Sequence, residues 1–83
     1  MRLVIRGHPL ERMRDRGVTR EDIENAIRNH HSSWSTQQGG IQYIGPACSG
    51  DDLKVWVLPP GYCDDNATII VKSVAWKGGE DSS

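Results

Sequence analysis

The first part of the chain has the hydrophobic spacing of a short strand followed by a helix. Residues 2–6 place a short run of β-forming apolar residues between two arginines, which predicts a strand at the edge of a sheet. Pro9 suits the first turn of a helix, and Gly17 suits a left-handed helix end. We therefore predict a short helix over residues 8–16.

A second helix follows at once. Thr19 and Asp22 have the spacing of a capping-box variant, in which each residue satisfies a backbone group of the other. The predicted helix extends to about Asn29. Its buried side is expected to contain Val18, Ile23, Ala26 and Ile27.

Beyond residue 31 the spacing changes to that of strands separated by turn residues. We predict strands at 33–37, 41–45, 53–58 and 67–77. In the last two, the faces expected against the helices carry Leu53, Val55 and Val57, and Ile69, Val71, Ser73 and Ala75. The opposite faces would form an aromatic and basic surface with Lys54, Trp56, Lys72, Val74 and Trp76. A slip of one residue in either strand would exchange the two faces.

These elements predict an α+β domain, with two N-terminal helices packed on a small antiparallel sheet of four to five strands. The chain has 83 residues, of which 36% are hydrophobic, enough for one modest core. We assign that domain to residues 1–77. Residues 78–83 contain no apolar side chain, and we predict that this tail is disordered.

Charge is distributed unevenly. The net charge of −1 argues against bulk binding of nucleic acid, so any anion site must be local. Residues 1–31 contain seven arginines and five acids, whereas residues 32–83 contain three lysines and six acids. No membrane span, signal peptide or metal-binding cysteine spacing is present, and we expect a cytoplasmic protein without metal or cofactor. Cys48 and Cys63 are then expected as reduced thiols.

One face of the first predicted helix carries a candidate site. His8, Arg12 and Arg16 lie four residues apart and span less than a quarter turn, and together we call them the stripe. RNA cleavage needs an acid or base near neutral pH, cations for the developing phosphorane, and often a ring that stacks on a base. The stripe, Lys72 and the tryptophan surface contain all three. If the helices cover one sheet face and Lys72 lies on the other, however, these parts are not neighbours.

Structural and binding alternatives stay open. The arginines could form a solvated face, and the tryptophans could fill the core. Reading the helix pair as a DNA-binding helix-turn-helix is less favourable, because three acids occupy the start of the second helix, at Glu21, Asp22 and Glu24. The aspartates at 51–52 and 64–65 fit turns better than a calcium loop.

The segments 8–23, 43–45, 53–57 and 70–76 together resemble the bacterial domain of unknown function family 4258. That family typically opens with a histidine, an arginine four residues later and an Arg-Gly-[Ile/Val]-[Ser/Thr] step. It closes with a strand that ends near Tyr-Trp or Ala-Trp. The layout is similar to RelE-like and barnase-related ribonuclease toxins, so the resemblance implies RNA cleavage by analogy of fold.

In this interpretation the chain is a toxin-like, metal-independent ribonuclease of a bacterial toxin-antitoxin or related conflict system. Arg12 and Arg16 would bind phosphate, His8 would act as acid or base, and Lys72 would stabilise the transition state. Lys54, Trp56 and Trp76 would bind the RNA substrate. An acidic antitoxin would cover the stripe, and a homodimer could form through the edge at 2–6. The alternative is a non-catalytic module whose stripe docks an acidic partner or a phosphate.

Overall fold

The computed structural model describes residues 1–77 except Arg6, Gln38 and Pro60. The predicted tail at 78–83 lies outside the described residues. In chain order the elements are β1 (Arg2–Val4), α1 (His8–Arg16), α2 (Arg20–Arg28), β2 (Ser32–Ser35), β3 (Ile41–Pro46), β4 (Asp52–Val57) and β5 (Thr68–Trp76). The domain is α+β, as predicted.

Both helices begin and end where their capping and terminating residues predict. Gly17 ends α1 in the left-handed conformation, with φ of +68°, and its N–H donates to the carbonyl of Met13. At the start of α2, Asp22 donates its N–H to the Thr19 hydroxyl, and Thr19 donates its N–H to the Asp22 carboxylate, at 3.1 and 3.0 Å. The capping box is therefore complete. The predicted buried side of α2 is confirmed, because Val18, Ile23, Ala26 and Ile27 are all buried.

The sheet has the order β1-β5-β4-β3-β2. The last four strands of the chain pair antiparallel, but β1 pairs with β5 in parallel, with Leu3 opposite Ile69. The sheet is therefore mixed, whereas we predicted an antiparallel sheet. Arg20 donates to the Leu3 carbonyl at 2.8 Å, and this contact occupies a backbone acceptor of the β1 edge.

Both helices cover one face of the sheet, which we call the inner face. Here α1 packs on β5, and α2 packs on β3 and β4. The approach of α2 requires Gly45, because a Cβ at this position would lie 2.2 Å from the Ala26 carbonyl oxygen. The inner side chains of β4 are Leu53, Val55 and Val57, all fully buried as predicted.

A β-bulge in β5 makes the predicted faces of that strand wrong beyond Val71. Val57 is paired with Val71, but Trp56 is paired with Ser73, so Lys72 is the extra residue. The extra residue reverses the alternation along the strand. Val74 and Trp76 therefore lie on the inner face, and Ser73 and Ala75 lie on the opposite face, the reverse of the prediction.

Candidate nucleic-acid interface

The stripe lies on α1, and the exposure of its side chains falls from His8 to Arg16. His8 is almost fully exposed, and its Nδ1 lies 3.5 Å from a carboxylate oxygen of Glu11. Arg12 is exposed and has no hydrogen bond or ion pair with any residue that the structure describes. These two side chains are available to a ligand.

Arg16 has a structural role. Its guanidinium donates to the carbonyl of Val74 at 3.2 Å, and the indole N–H of Trp76 donates to the carbonyl of Arg16 at 2.7 Å. Together the two bonds fasten the last turn of α1 to the end of β5. The Trp76 indole also satisfies a carbonyl at the helix end that lacks a partner within the helix. Trp76 is thus on the inner face, and the prediction that it shares a surface with Trp56 is wrong.

Lys72 lies on the face opposite the helices. Its Cδ is 3.9 Å from the position of a Cβ built on Gly40, in the connection between β2 and β3. Because the sheet separates Lys72 from α1, the structure does not bring this lysine together with the stripe.

Within the described residues, no helix covers the other face of the sheet, which we call the open face. The strand register places four outward side chains in one row across it, Trp34, Gln42, Trp56 and Ser73. A neighbouring row consists of Ser32, Ile44, Lys54 and Ala75. Ile44 and Ala75 are buried although they lie outside the core cluster.

The open face is apolar and positively charged at once. Three of the four large exposed hydrophobic residues described in the structure, Trp34, Leu58 and Ile70, lie on it, and only Leu10 lies on a helix. The Lys54 ammonium is 5.8 Å from the centroid of the Trp56 ring, within the range of a cation–π contact. Lys72 is exposed at the other side of Trp56.

One carboxylate on this face, that of Asp52, lies beside a histidine. A carboxylate oxygen of Asp52 lies 3.2 Å from Nε2 of His31. Lys54 and Lys72 place two cationic side chains near Trp56 on this face. An anion with flat apolar groups matches this combination of charge and shape.

Away from this surface, two carboxylates with lowered pKa values, those of Asp22 and Asp65, stabilise contacts within the fold. Burial alone would raise the pKa of Asp22, but hydrogen bonds from the backbone N–H groups of Thr19 and Cys48 outweigh it and lower that pKa. A hydrogen bond from Arg28 lowers the pKa of Asp65. Both groups are used to join elements, so neither is a candidate acid or base.

The described residues contain neither a cluster of side chains suited to a metal ion nor a helix long and apolar enough to cross a membrane. Cys48 and Cys63 are both free and exposed. His30 contacts the carboxyl end of α2, where its Nδ1 lies 2.6 Å from the Ile27 carbonyl oxygen. The second aspartate pair forms a turn, in which Asp64 accepts from the N–H of Asn66 at 2.8 Å.

Comparison with known proteins identifies no relative of this chain. No family model matches the chain, and no curated protein or solved structure is significantly similar to it. The resemblance to domain of unknown function family 4258 therefore stays a prediction.

Sequence analysis did not single out Trp34 or Gln42. Trp34 lies between serines, so its strand has no strong hydrophobic pattern. Gln42 is polar at an outward position, as expected for a solvated face. These two residues become informative only when the strands are paired, because the register of β2, β3 and β4 places Gln42 between two tryptophans.

Proposed function

We propose that this protein binds single-stranded RNA on the open face of its sheet. The observation that carries the proposal is the placement of Trp34 and Trp56 on one helix-free face together with Lys54 and Lys72. Tryptophan rings stack on unpaired bases, and lysines attract the phosphates between them.

A local site of this kind agrees with the overall charge. The net charge of −1 gives the chain no general attraction to nucleic acid. Affinity would have to come from stacking plus a few phosphate contacts. Duplexes hide their bases inside the helix, so the stacking part of the affinity favours single strands.

Fluorescence anisotropy with a labelled RNA octamer tests the proposal. Because stacking on one aromatic ring contributes about 1–3 kcal/mol, Trp34→Ala should weaken binding by about 5- to 150-fold. Leu10→Ala is the matched control, since Leu10 is equally exposed but lies on α1. Its affinity should equal that of the wild type.

The lysine contribution is tested by the salt dependence of binding. Removing one phosphate contact should reduce the slope of log K against log salt by about 0.7 for a single strand. We expect this reduction for Lys72→Gln and not for Arg14→Gln, a control at an exposed position of α1. Binding of a protein partner with no affinity for RNA, or RNA binding that neither Trp34→Ala nor Lys72→Gln weakens, would refute the proposal.

Toxin-like RNA cleavage is a second candidate, favoured by a different observation. The exposed His8 imidazole has Glu11 beside it, and exposed Arg12 lies one turn further along α1. A carboxylate can orient an imidazole as acid or base, and an unpaired arginine can hold a phosphate. In this candidate the site contains His8 and Arg12 alone, because Arg16 fastens the helix and Lys72 lies across the sheet.

Expression of the wild type beside His8→Ala and Arg12→Ala in bacteria separates cleavage from binding. Growth arrest with fragmented RNA in the wild type only would support a toxin, for which an acidic antitoxin over Arg12 is the expected partner. Normal growth and intact RNA with all three folded proteins would favour a non-catalytic module.

A further inference from the structure

Gln42 is the central side chain of the open face. It lies on β3, directly opposite Trp34 of β2 on one side and Trp56 of β4 on the other. Its neighbours in sequence, Ile41 and Tyr43, lie on the inner face, so the Gln42 side chain projects from the open face. The backbones of the two tryptophans are separated by two strand spacings, about 10 Å.

The amide of Gln42 is buried without a partner. Gln42 is only 9% exposed, and its side chain makes no hydrogen bond with any residue that the structure describes. Burying an amide without hydrogen bonds opposes folding. The other buried polar side chain among the described residues, Asp22, accepts hydrogen bonds from Thr19 and Cys48. The fold satisfies that group but leaves Gln42 unsatisfied.

An apolar side chain at this position would avoid the cost of the buried amide, and a ligand that pairs with the amide would offset that cost. Glutamine offers one acceptor and two donors in a plane. A nucleobase between two rings needs about 7 Å, at about 3.5 Å from each face, which fits within the separation of the tryptophan backbones. Trp34, at 46% exposure, is the more exposed of the two rings.

We propose that Gln42 recognises one amino-bearing base, adenine, held between Trp34 and Trp56, with the neighbouring phosphates near Lys54 and Lys72. The inference rests on the proposed RNA binding and adds its base preference. A glutamine amide pairs with adenine by accepting from the N6 amino group and donating to an adjacent ring nitrogen. The ligand thereby supplies the hydrogen bonds that the fold does not.

The test compares two RNA octamers, one of adenosine and one of purine riboside, which lacks only the N6 amino group. The wild type should bind the adenosine octamer about tenfold more tightly, as expected for one hydrogen bond to the base. Gln42→Leu should bind both octamers equally. Gln37→Leu, which changes an exposed glutamine in the turn after β2, should keep the tenfold ratio. A matching DNA octamer shows whether the sugar contributes.

The outcomes distinguish the two proposals. Equal affinity of the wild type for both octamers, or a preference that persists in Gln42→Leu, overturns the role of Gln42 while RNA binding stands. Failure of the wild type to bind either octamer overturns the RNA-binding proposal itself, and with it the inference. Urea unfolding of each variant confirms that the folded protein is compared.

Discussion

Replacing Gln42 with leucine should stabilise the folded protein and, at the same time, remove its preference for adenine. Leucine is similar in size to glutamine, fits between Trp34 and Trp56, and has no polar group to satisfy. Leaving an amide buried and unpaired costs about 1–3 kcal/mol. Most substitutions destabilise a folded protein, so a gain at this position would be a specific consequence of the unpaired amide.

We therefore expect Gln42→Leu to raise the free energy of unfolding by about 1–3 kcal/mol. Each 1 kcal/mol corresponds to an increase in Tm of about 4–8 °C in a domain of this size. Urea unfolding followed by tryptophan fluorescence measures the change, and exposed Gln37→Leu should stay within about 0.5 kcal/mol of the wild type. A loss of 1 kcal/mol or more in Gln42→Leu would refute the reasoning, because it would show that the amide is satisfied in the folded protein.

Three further predictions concern the scaffold. Gly45→Ala should lower the free energy of unfolding by about 3 kcal/mol, because the new Cβ would collide with the Ala26 carbonyl; urea unfolding within 0.5 kcal/mol of wild type would contradict this close approach. The pKa of Asp22 is lower in the folded than in the unfolded protein. Its ionised carboxylate therefore stabilises the fold above about pH 4, and this stabilisation is lost as the pH falls through the folded pKa. Asp22→Asn should flatten this part of a pH series of urea unfolding, and an unchanged pH slope would refute it. Trp76→Phe should cost about 1 kcal/mol through the lost bond to the Arg16 carbonyl, yet leave RNA affinity unchanged; weaker RNA binding would place Trp76 in the interface.

The helices were predictable because their signals are local. Pro9 and Gly17 enclose α1, and the Thr19 and Asp22 capping box begins α2. Each signal depends on backbone groups within a few residues. The burial of the inner side chains of β4 was also predictable, because side chains along a strand alternate between the two faces of the sheet.

The faces of β5 could not be read from alternation alone. One inserted residue, Lys72, reverses every side chain after it, and a bulge has no fixed sequence signal. Parallel pairing of β1 with β5 was also hidden, because it joins segments more than sixty residues apart. The candidate site depends on the pairing of β2 to β5 and on the bulge, so sequence analysis identified Lys54, Trp56 and Lys72 but included Trp76 and missed Trp34 and Gln42.

The three tryptophans permit a direct test of where RNA binds. In a ¹H–¹⁵N NMR spectrum each contributes one indole N–H signal, assigned with single Trp→Phe variants. Titration with the adenosine octamer should shift the signals of Trp34 and Trp56 on the open face. The Trp76 signal should stay in place, because its N–H is hydrogen-bonded to Arg16 on the inner face. A shift of Trp76 alone, or binding that moves none of the three, would contradict the account.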